Sequence, residues 1–128
     1  MYPMANVSTS LKCLLAAAAL VSSALAFAAE PAMEKDGKLV DHEGMALYTF
    51  DKDSTGKSAC NDQCAINWPP LAAEADSSAE GKWTVITRDD KTRQWAYDGK
   101  PLYTFNSDTK AGEVTGDGKG GVWHVAKP

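Results

Sequence analysis

Gly44-Met-Ala-Leu-Tyr-Thr-Phe-Asp-Lys-Asp53 returns later in the chain as Gly99-Lys-Pro-Leu-Tyr-Thr-Phe-Asn-Ser-Asp108. Leu47, Tyr48, Thr49, Phe50 and Asp53 recur as Leu102, Tyr103, Thr104, Phe105 and Asp108, an offset of 55 positions (103 − 48). The same offset relates Trp68 to Trp123, with no gap between. A chance match does not keep register over that distance, so the chain is internally duplicated. Met45–Phe50 is apolar, aromatic and β-branched, the composition of a strand. A period of two puts Leu47 and Thr49 on one face and Tyr48 and Phe50 on the other. Both faces carry groups to bury, so this strand is expected to be covered on both sides.

Working outward, the second copy is the clearer. Trp83-Thr-Val-Ile-Thr87 and Arg93-Gln-Trp-Ala-Tyr97 read as strands joined by a turn at 88–92. Asp98-Gly99 is a hairpin dipeptide leading into Pro101–Phe105. A Gly-rich loop over 106–121 then precedes a closing strand, Val122–Val125. In the first copy, Asp36-Gly37 and Glu43-Gly44 are turns around a short strand at Lys38–His42. Residues 51–67 read as loop. Trp68-Pro-Pro-Leu71 is expected at an edge or as an extended cover, because proline cannot donate to a ladder. Ala72-Ala-Glu-Ala75 starts at most one helical turn. The expected fold is all-β: two pseudo-symmetric antiparallel meanders of three to four strands, packed as one small domain. Repeat 1 covers about 37–71, a linker 72–81, and repeat 2 about 82–126. One three-stranded meander is marginal alone, whereas two can bury their aromatic faces together.

The start of the chain has another composition. Lys12 is the only charge before Glu30; an apolar run of nine residues (13 to 21) follows it, and then Ala24-Leu-Ala-Phe-Ala28. This pattern reads as a signal peptide over 1–28, cut after Ala28 or alternatively Ala26. The run is too short for a membrane span, which needs about 20 such residues. The mature domain, 29–128, then has a charge of −5 (12 Lys and Arg against 17 Asp and Glu). An acidic surface argues against nucleic acid and anionic lipid as partners. The expected location is periplasmic or secreted, with no transmembrane segment in the mature chain. Cys13 sits at the front of the apolar core rather than just behind it, where a lipid-attachment cysteine would have to lie, so the mature protein reads as free of a lipid anchor.

Cys60 and Cys64 remain after the cut, an even number in an oxidising compartment, and are expected to pair as a structural disulfide. Residues four apart in a helix hold their Cβ atoms about 5–6 Å apart. A disulfide wants about 3.5–4.5 Å, so a bridge implies that the loop is not regular helix there. The alternative is a soft-metal site, for copper above all, built from Cys60, Cys64 and one of the two histidines, His42 or His124. Covalent haem does not fit, because Ala65 follows Cys64 and the spacing is one residue too long.

Other motifs point to structure. Asp51-Lys-Asp-Ser-Thr-Gly56 opens like a calcium loop, but Thr55 and Asp62 depart from the pattern and the second copy departs further. Asp53 and Asp108 are expected to accept backbone N–H groups and shape the turn after each strand. Thr115–Gly121 lacks the strand, the helix and the Lys-Ser/Thr ending of a phosphate loop. Trp68, Trp83, Trp95, Tyr97 and Trp123 could stack a sugar or small ring, but read first as the core of a small β domain. No catalytic triad or opposed carboxylate pair emerges at an identifiable spacing.

Tyr48-Thr-Phe50-Asp-Lys-Asp53 and Tyr103-Thr-Phe105-Asn-Ser-Asp108 share the form Tyr-x-aromatic-x-x-Asp. With Cys60-x-x-x-Cys64, Trp68-Pro-Pro-Leu71, the segment from Gln94 to Tyr103, and Gly116-Asp-Gly118 before Gly121-Val-Trp-His124, the chain resembles a bacterial secreted-repeat family of predicted lipoproteins defined by that motif. The resemblance spans nearly all of residues 37–126. It implies an exported, repeat-built protein with no established activity. The function expected is therefore an exported, non-catalytic β-repeat protein of the cell envelope, a binding or structural module for an unknown envelope partner or small ligand. It would carry no cofactor. The alternative is a copper-binding or redox envelope protein.

Overall fold

The two copies of the repeated phrase run antiparallel, side by side, and meet at their own tyrosines. The Tyr48 N–H donates to the Tyr103 carbonyl at 2.7 Å, and the Tyr103 N–H donates back at 3.0 Å. Equivalent residues that pair with each other mark a pseudo-two-fold axis. The computed structural model describes residues 30–128, of which Pro31–Pro128 form one compact unit. The leader expected over 1–28 lies outside the described residues.

Each repeat opens with a hairpin. β1 (Met33–Lys35) pairs with β2 (Lys38–Val40), and β4 (Trp83–Thr87) pairs with β5 (Arg93–Tyr97). β6 (Lys100–Pro101) then folds back on β5. The β1–β2 and β5–β6 turns are the dipeptides Asp36-Gly37 and Asp98-Gly99, with φ of +52° and +80° in the first and +54° and +83° in the second. Positive φ at both positions is the geometry that lets a two-residue turn follow the twist of its strands, and Asp-Gly accepts it readily.

The closing strand of each repeat is handed to the other. β3 (Tyr48–Phe50) pairs with β7 (Trp123–Val125), in the register Tyr48↔Val125 and Phe50↔Trp123. Under the same offset, Tyr103 bridges Pro70, and the Thr104 N–H donates to the Pro69 carbonyl at 2.9 Å. The Asp51 N–H donates to the Val122 carbonyl and the Asn106 N–H to the Asn67 carbonyl, both at 2.8 Å. Each repeat also closes a cyclic triad of backbone bonds. In one, Leu39 donates to Ala126, Ala126 to Leu47 and Leu47 to Leu39. In the other, Trp95 donates to Leu71, Leu71 to Leu102 and Leu102 to Trp95.

The central strands are covered on both faces. Tyr48 and Tyr103 bury their rings with Ala46, Cys60, Trp68, Phe105 and Trp123. Leu47 and Leu102 point the other way, into a second cluster with Ala32, Leu39, Trp83 and Ala126, flanked by Trp95 and Tyr97. Phe50, Trp123, Trp68 and Phe105 form one continuous stack, with successive centroids 4.2, 3.8 and 4.0 Å apart. Trp68 and Trp123 lie within 2° of parallel across the pseudo-axis. Trp68, Trp83 and Trp123 are buried in the core, while Trp95 is half-buried and packs against it.

The expected all-β fold is the one observed, but several segments differ from their sequence reading. Met33–Lys35, ahead of the expected start of repeat 1, is a strand; all three residues are exposed, so no apolar pattern marks it. The loop at 51–67 contains a five-residue helix, α1 (Gln63–Asn67), too short to carry a periodic signal. Trp68–Leu71 is not an edge. The Leu71 N–H donates to Leu102 and its carbonyl accepts from Trp95, so the segment lies between two others. Pro70 fits there because Tyr103 spends its own N–H and carbonyl on Tyr48, leaving the Tyr103–Pro70 pair without need of a proline donor. Ala72 continues this extended segment by bridging Gln94, in place of a helical turn.

Candidate functional site

The motif residues come together across the repeats. The Tyr48 hydroxyl donates to Asp108 Oδ2 at 2.6 Å, and the Tyr103 hydroxyl donates to Asp53 Oδ2 at 2.7 Å. The tyrosine of each motif thus holds the aspartate of the other. The second oxygen of each carboxylate shapes its own loop: Asp53 Oδ1 accepts the Ala59 N–H at 2.6 Å, and Asp108 Oδ1 accepts the N–H and hydroxyl of Thr115. Local turn-shaping was legible in the sequence; the cross-repeat bond was not. Burial, and then the bond to Asp108, push the Tyr48 phenol well above its ordinary range. Burial does the same to Tyr103. Phe50 and Phe105 take the outer places of the aromatic stack.

Cys60 and Cys64 are bonded, with an S–S distance of 2.03 Å. Cys64 is in α1 but Cys60 precedes it, so the pair does not span regular helix. The bridge fixes the loop around a buried cation that carried no sequence signal. Arg88 follows β4, and its side chain is only 2% exposed. Its Nη1 donates to Ser58 Oγ at 3.0 Å and Gln94 Oε1 at 2.8 Å, and its Nη2 donates to the Cys60 carbonyl at 2.6 Å. Ser58 Oγ lies 2.6 Å from the Tyr103 hydroxyl, which links Arg88 to the Tyr103–Asp53 pair. Burial raises the Asp53 carboxyl above the usual range, while the Ala59 and Tyr103 bonds and the Arg88 charge oppose that shift.

The histidines do not join the cysteines. Among the described residues, no three His, Cys, Asp or Glu side chains are grouped to hold a metal ion. His42 is exposed after β2, in the turn that precedes Met45. His124, on β7, lies with its Nε2 2.8 Å from Asp51 Oδ2, and both side chains are about half exposed, at 47% and 52%. This pair stands at a cleft of about 370 Å³. Thr49, Asp51 and His124 line it together with Tyr97, Asp98 and Lys100 from the second repeat. A smaller hollow of about 200 Å³ shares Thr49, Asp51 and Lys100 with it.

The fold and the buried motif define an internally duplicated β protein whose signature residues hold its halves together. A family model described as a secreted repeat of unknown function matches residues 31–72 and again residues 84–127, and the chain belongs to that family. Neither the comparison with curated proteins nor that with solved structures gave a match. No helix among the described residues is long and apolar enough to cross a membrane.

Proposed function

We propose that this protein is an exported, non-catalytic module of the cell envelope, periplasmic or secreted, that works by binding a partner or small ligand or as a structural element. The observation that carries this reading is the fate of the motif. Its two tyrosines and two aspartates are hydrogen-bonded to one another between the repeats, with Tyr48 and Tyr103 wholly buried. Groups spent on the fold in this way do not meet a substrate, and the secreted family to which the chain belongs supports export. The bonded state of Cys60 and Cys64 favours a structural role for them, because a soft metal requires free thiolates.

Two measurements test this. Turnover is assayed across broad hydrolase and oxidoreductase panels; none is expected, and activity abolished by His124→Ala would overturn the non-catalytic reading. Native intact mass of the exported protein, with and without thiol alkylation, is expected to be two protons light of the reduced chain and free of adducts. Two reactive thiols or a copper or zinc adduct would instead make Cys60, Cys64 and His42 or His124 the site.

A further inference from the structure

Phe50, Trp123, Trp68 and Phe105 stack more closely than neutral rings favour. Aromatic pairs settle offset or edge-on, with centroids about 4.5–7 Å apart, because cofacial rings set negative face against negative face. Here the three successive separations are 4.2, 3.8 and 4.0 Å, and the two indoles at the centre lie within 2° of parallel. Removing one electron turns this repulsion into attraction, since the electron hole spreads over both indoles. Two phenols stand at the edge of the stack. Tyr48 meets Trp68 at 5.3 Å and Tyr103 meets Trp123 at 5.2 Å.

Burial keeps both phenols protonated. A phenol that loses an electron becomes a strong acid, and here each has a proton acceptor in contact: Asp108 Oδ2 at 2.6 Å from Tyr48, and Asp53 Oδ2 at 2.7 Å from Tyr103. Asp108 is 5% exposed and forms no ion pair among the described residues. A buried carboxylate without a counter-charge is costly, and a hole in the adjoining rings supplies that charge. The two phenols are not equal. Ser58 links the Tyr103 hydroxyl to the Arg88 cation, whereas the offset places Met33 opposite Arg88. Oxidising a phenol that is bonded to a carboxylate removes one negative charge from the pair, a change that Arg88 opposes at Tyr103.

We infer that the aromatic core is a one-electron donor that settles an oxidising equivalent on Tyr48. A one-electron oxidant of the peroxyl-radical class takes an electron from the Trp68–Trp123 pair and leaves as the peroxide anion, which water protonates. Tyr48 returns an electron to the indoles, and its hydroxyl proton passes to Asp108 Oδ2. What remains is a neutral tyrosyl radical beside a neutral carboxyl. Electrons tunnel through the thin cover over the buried indoles, so the motif acts without touching a substrate. The donation is stoichiometric, goes beyond the binding reading and does not depend on it.

The test is pulse radiolysis of the exported chain with the azide radical as oxidant. All chains carry Tyr97→Phe, which removes the tyrosine packed on Trp83. Tryptophan-radical absorbance is expected to decay as tyrosyl absorbance grows, at a first-order rate independent of protein concentration. Tyr48→Phe is expected to slow that growth about tenfold, and Tyr103→Phe to leave it within about twofold, with near-ultraviolet circular dichroism reporting that the stack is kept. A purely structural clasp gives the two substitutions equal effects, since each phenol makes the same bond. In deuterium oxide the growth is expected to slow, because the hydroxyl proton moves with the electron, and this needs neither substitution. No tyrosyl growth, equal slowing by the two substitutions, slowing by Tyr103→Phe alone, or equal rates in the two waters overturns the inference. Any of these removes the electron donor and leaves the non-catalytic reading standing, since only turnover sinks that.

Discussion

The Tyr48 hydroxyl lies 2.6 Å from Asp108 Oδ2, sixty positions further along the chain, and Tyr103 repeats the bond to Asp53. A motif that looks local in sequence is therefore a clasp between two copies of itself. Each tyrosine ring also packs edge-on against a stacked tryptophan, Tyr48 on Trp68 at 5.3 Å and Tyr103 on Trp123 at 5.2 Å. Phenol and ring are committed together, and this makes the clasp sensitive to alkali.

Both phenols are held protonated in the folded state above the ordinary tyrosine value of 10.0, mainly by burial. Their stabilising contribution is full below that value. It is lost as pH rises, because the unfolded chain releases these protons first. The slope is about 1.4 kcal/mol per pH unit for each tyrosine, or about 3 kcal/mol per unit for the two. Urea unfolding at a series of alkaline pH values is expected to show this decline, with Tyr48→Phe removing about half of it. The same substitution at neutral pH is expected to cost about 1–3 kcal/mol, since Asp108 and the Gly116 N–H lose a buried partner. An unchanged alkaline slope in Tyr48→Phe would place the Tyr48 phenol in water.

Gly116 is buried against the aromatic stack. A methyl group there would come within 2.6 Å of Trp68 Cη2 and 2.9 Å of Phe105 Cδ2, inside any tolerable approach. Both rings are stacked on neighbours and cannot swing aside. Gly116→Ala is expected to cost about 1–3 kcal/mol through overpacking, with a change in near-ultraviolet circular dichroism from the displaced tryptophan. Gly118→Ala is the comparison: its φ is +82° with open space around it, so the expected cost is backbone strain of roughly 1 kcal/mol and the aromatic signal stays the same. Identical spectra for the two variants would contradict the stack.

The Cys60–Cys64 bridge closes a short loop, and chain-entropy reasoning assigns it about 2 kcal/mol. Because the Cys60 carbonyl accepts from buried Arg88, the double variant Cys60→Ser, Cys64→Ser is expected to lose at least that much. The denaturation midpoint in urea, set against wild type with and without reductant, measures it. A midpoint unmoved by either change would show that the loop holds Arg88 without the bridge.

The duplication, the all-β class and the two-faced central strands were legible because Leu47, Tyr48 and Phe50 recur in register and alternate cleanly. The aromatic core was legible for the same reason. Which copy each closing strand joins was not: Trp68 and Trp123 occupy equivalent places whether each stays with its own repeat or crosses over, and an offset alone cannot separate the two. Arg88 was invisible because a lone arginine in a polar turn looks solvated, and its burial depends on Ser58, Gln94 and Cys60 arriving from elsewhere in the chain. The cleft was partly visible, since His124 and Asp51 were noted, but only the fold sets them beside Lys100 and Tyr97.

The crossing of the closing strands sets an order of events. A chain that leaves a membrane amino-terminus first delivers residues 31–72 well ahead of residues 122–126. The second repeat finds its partner, Trp68–Leu71, already waiting. The first does not, and its Tyr48–Phe50 edge lacks its β7 partner until Trp123–Val125 emerge. The half made first is thus the half completed last. A stop codon at position 123 would strip the closing strand from the first repeat, leaving the second with its own still in place.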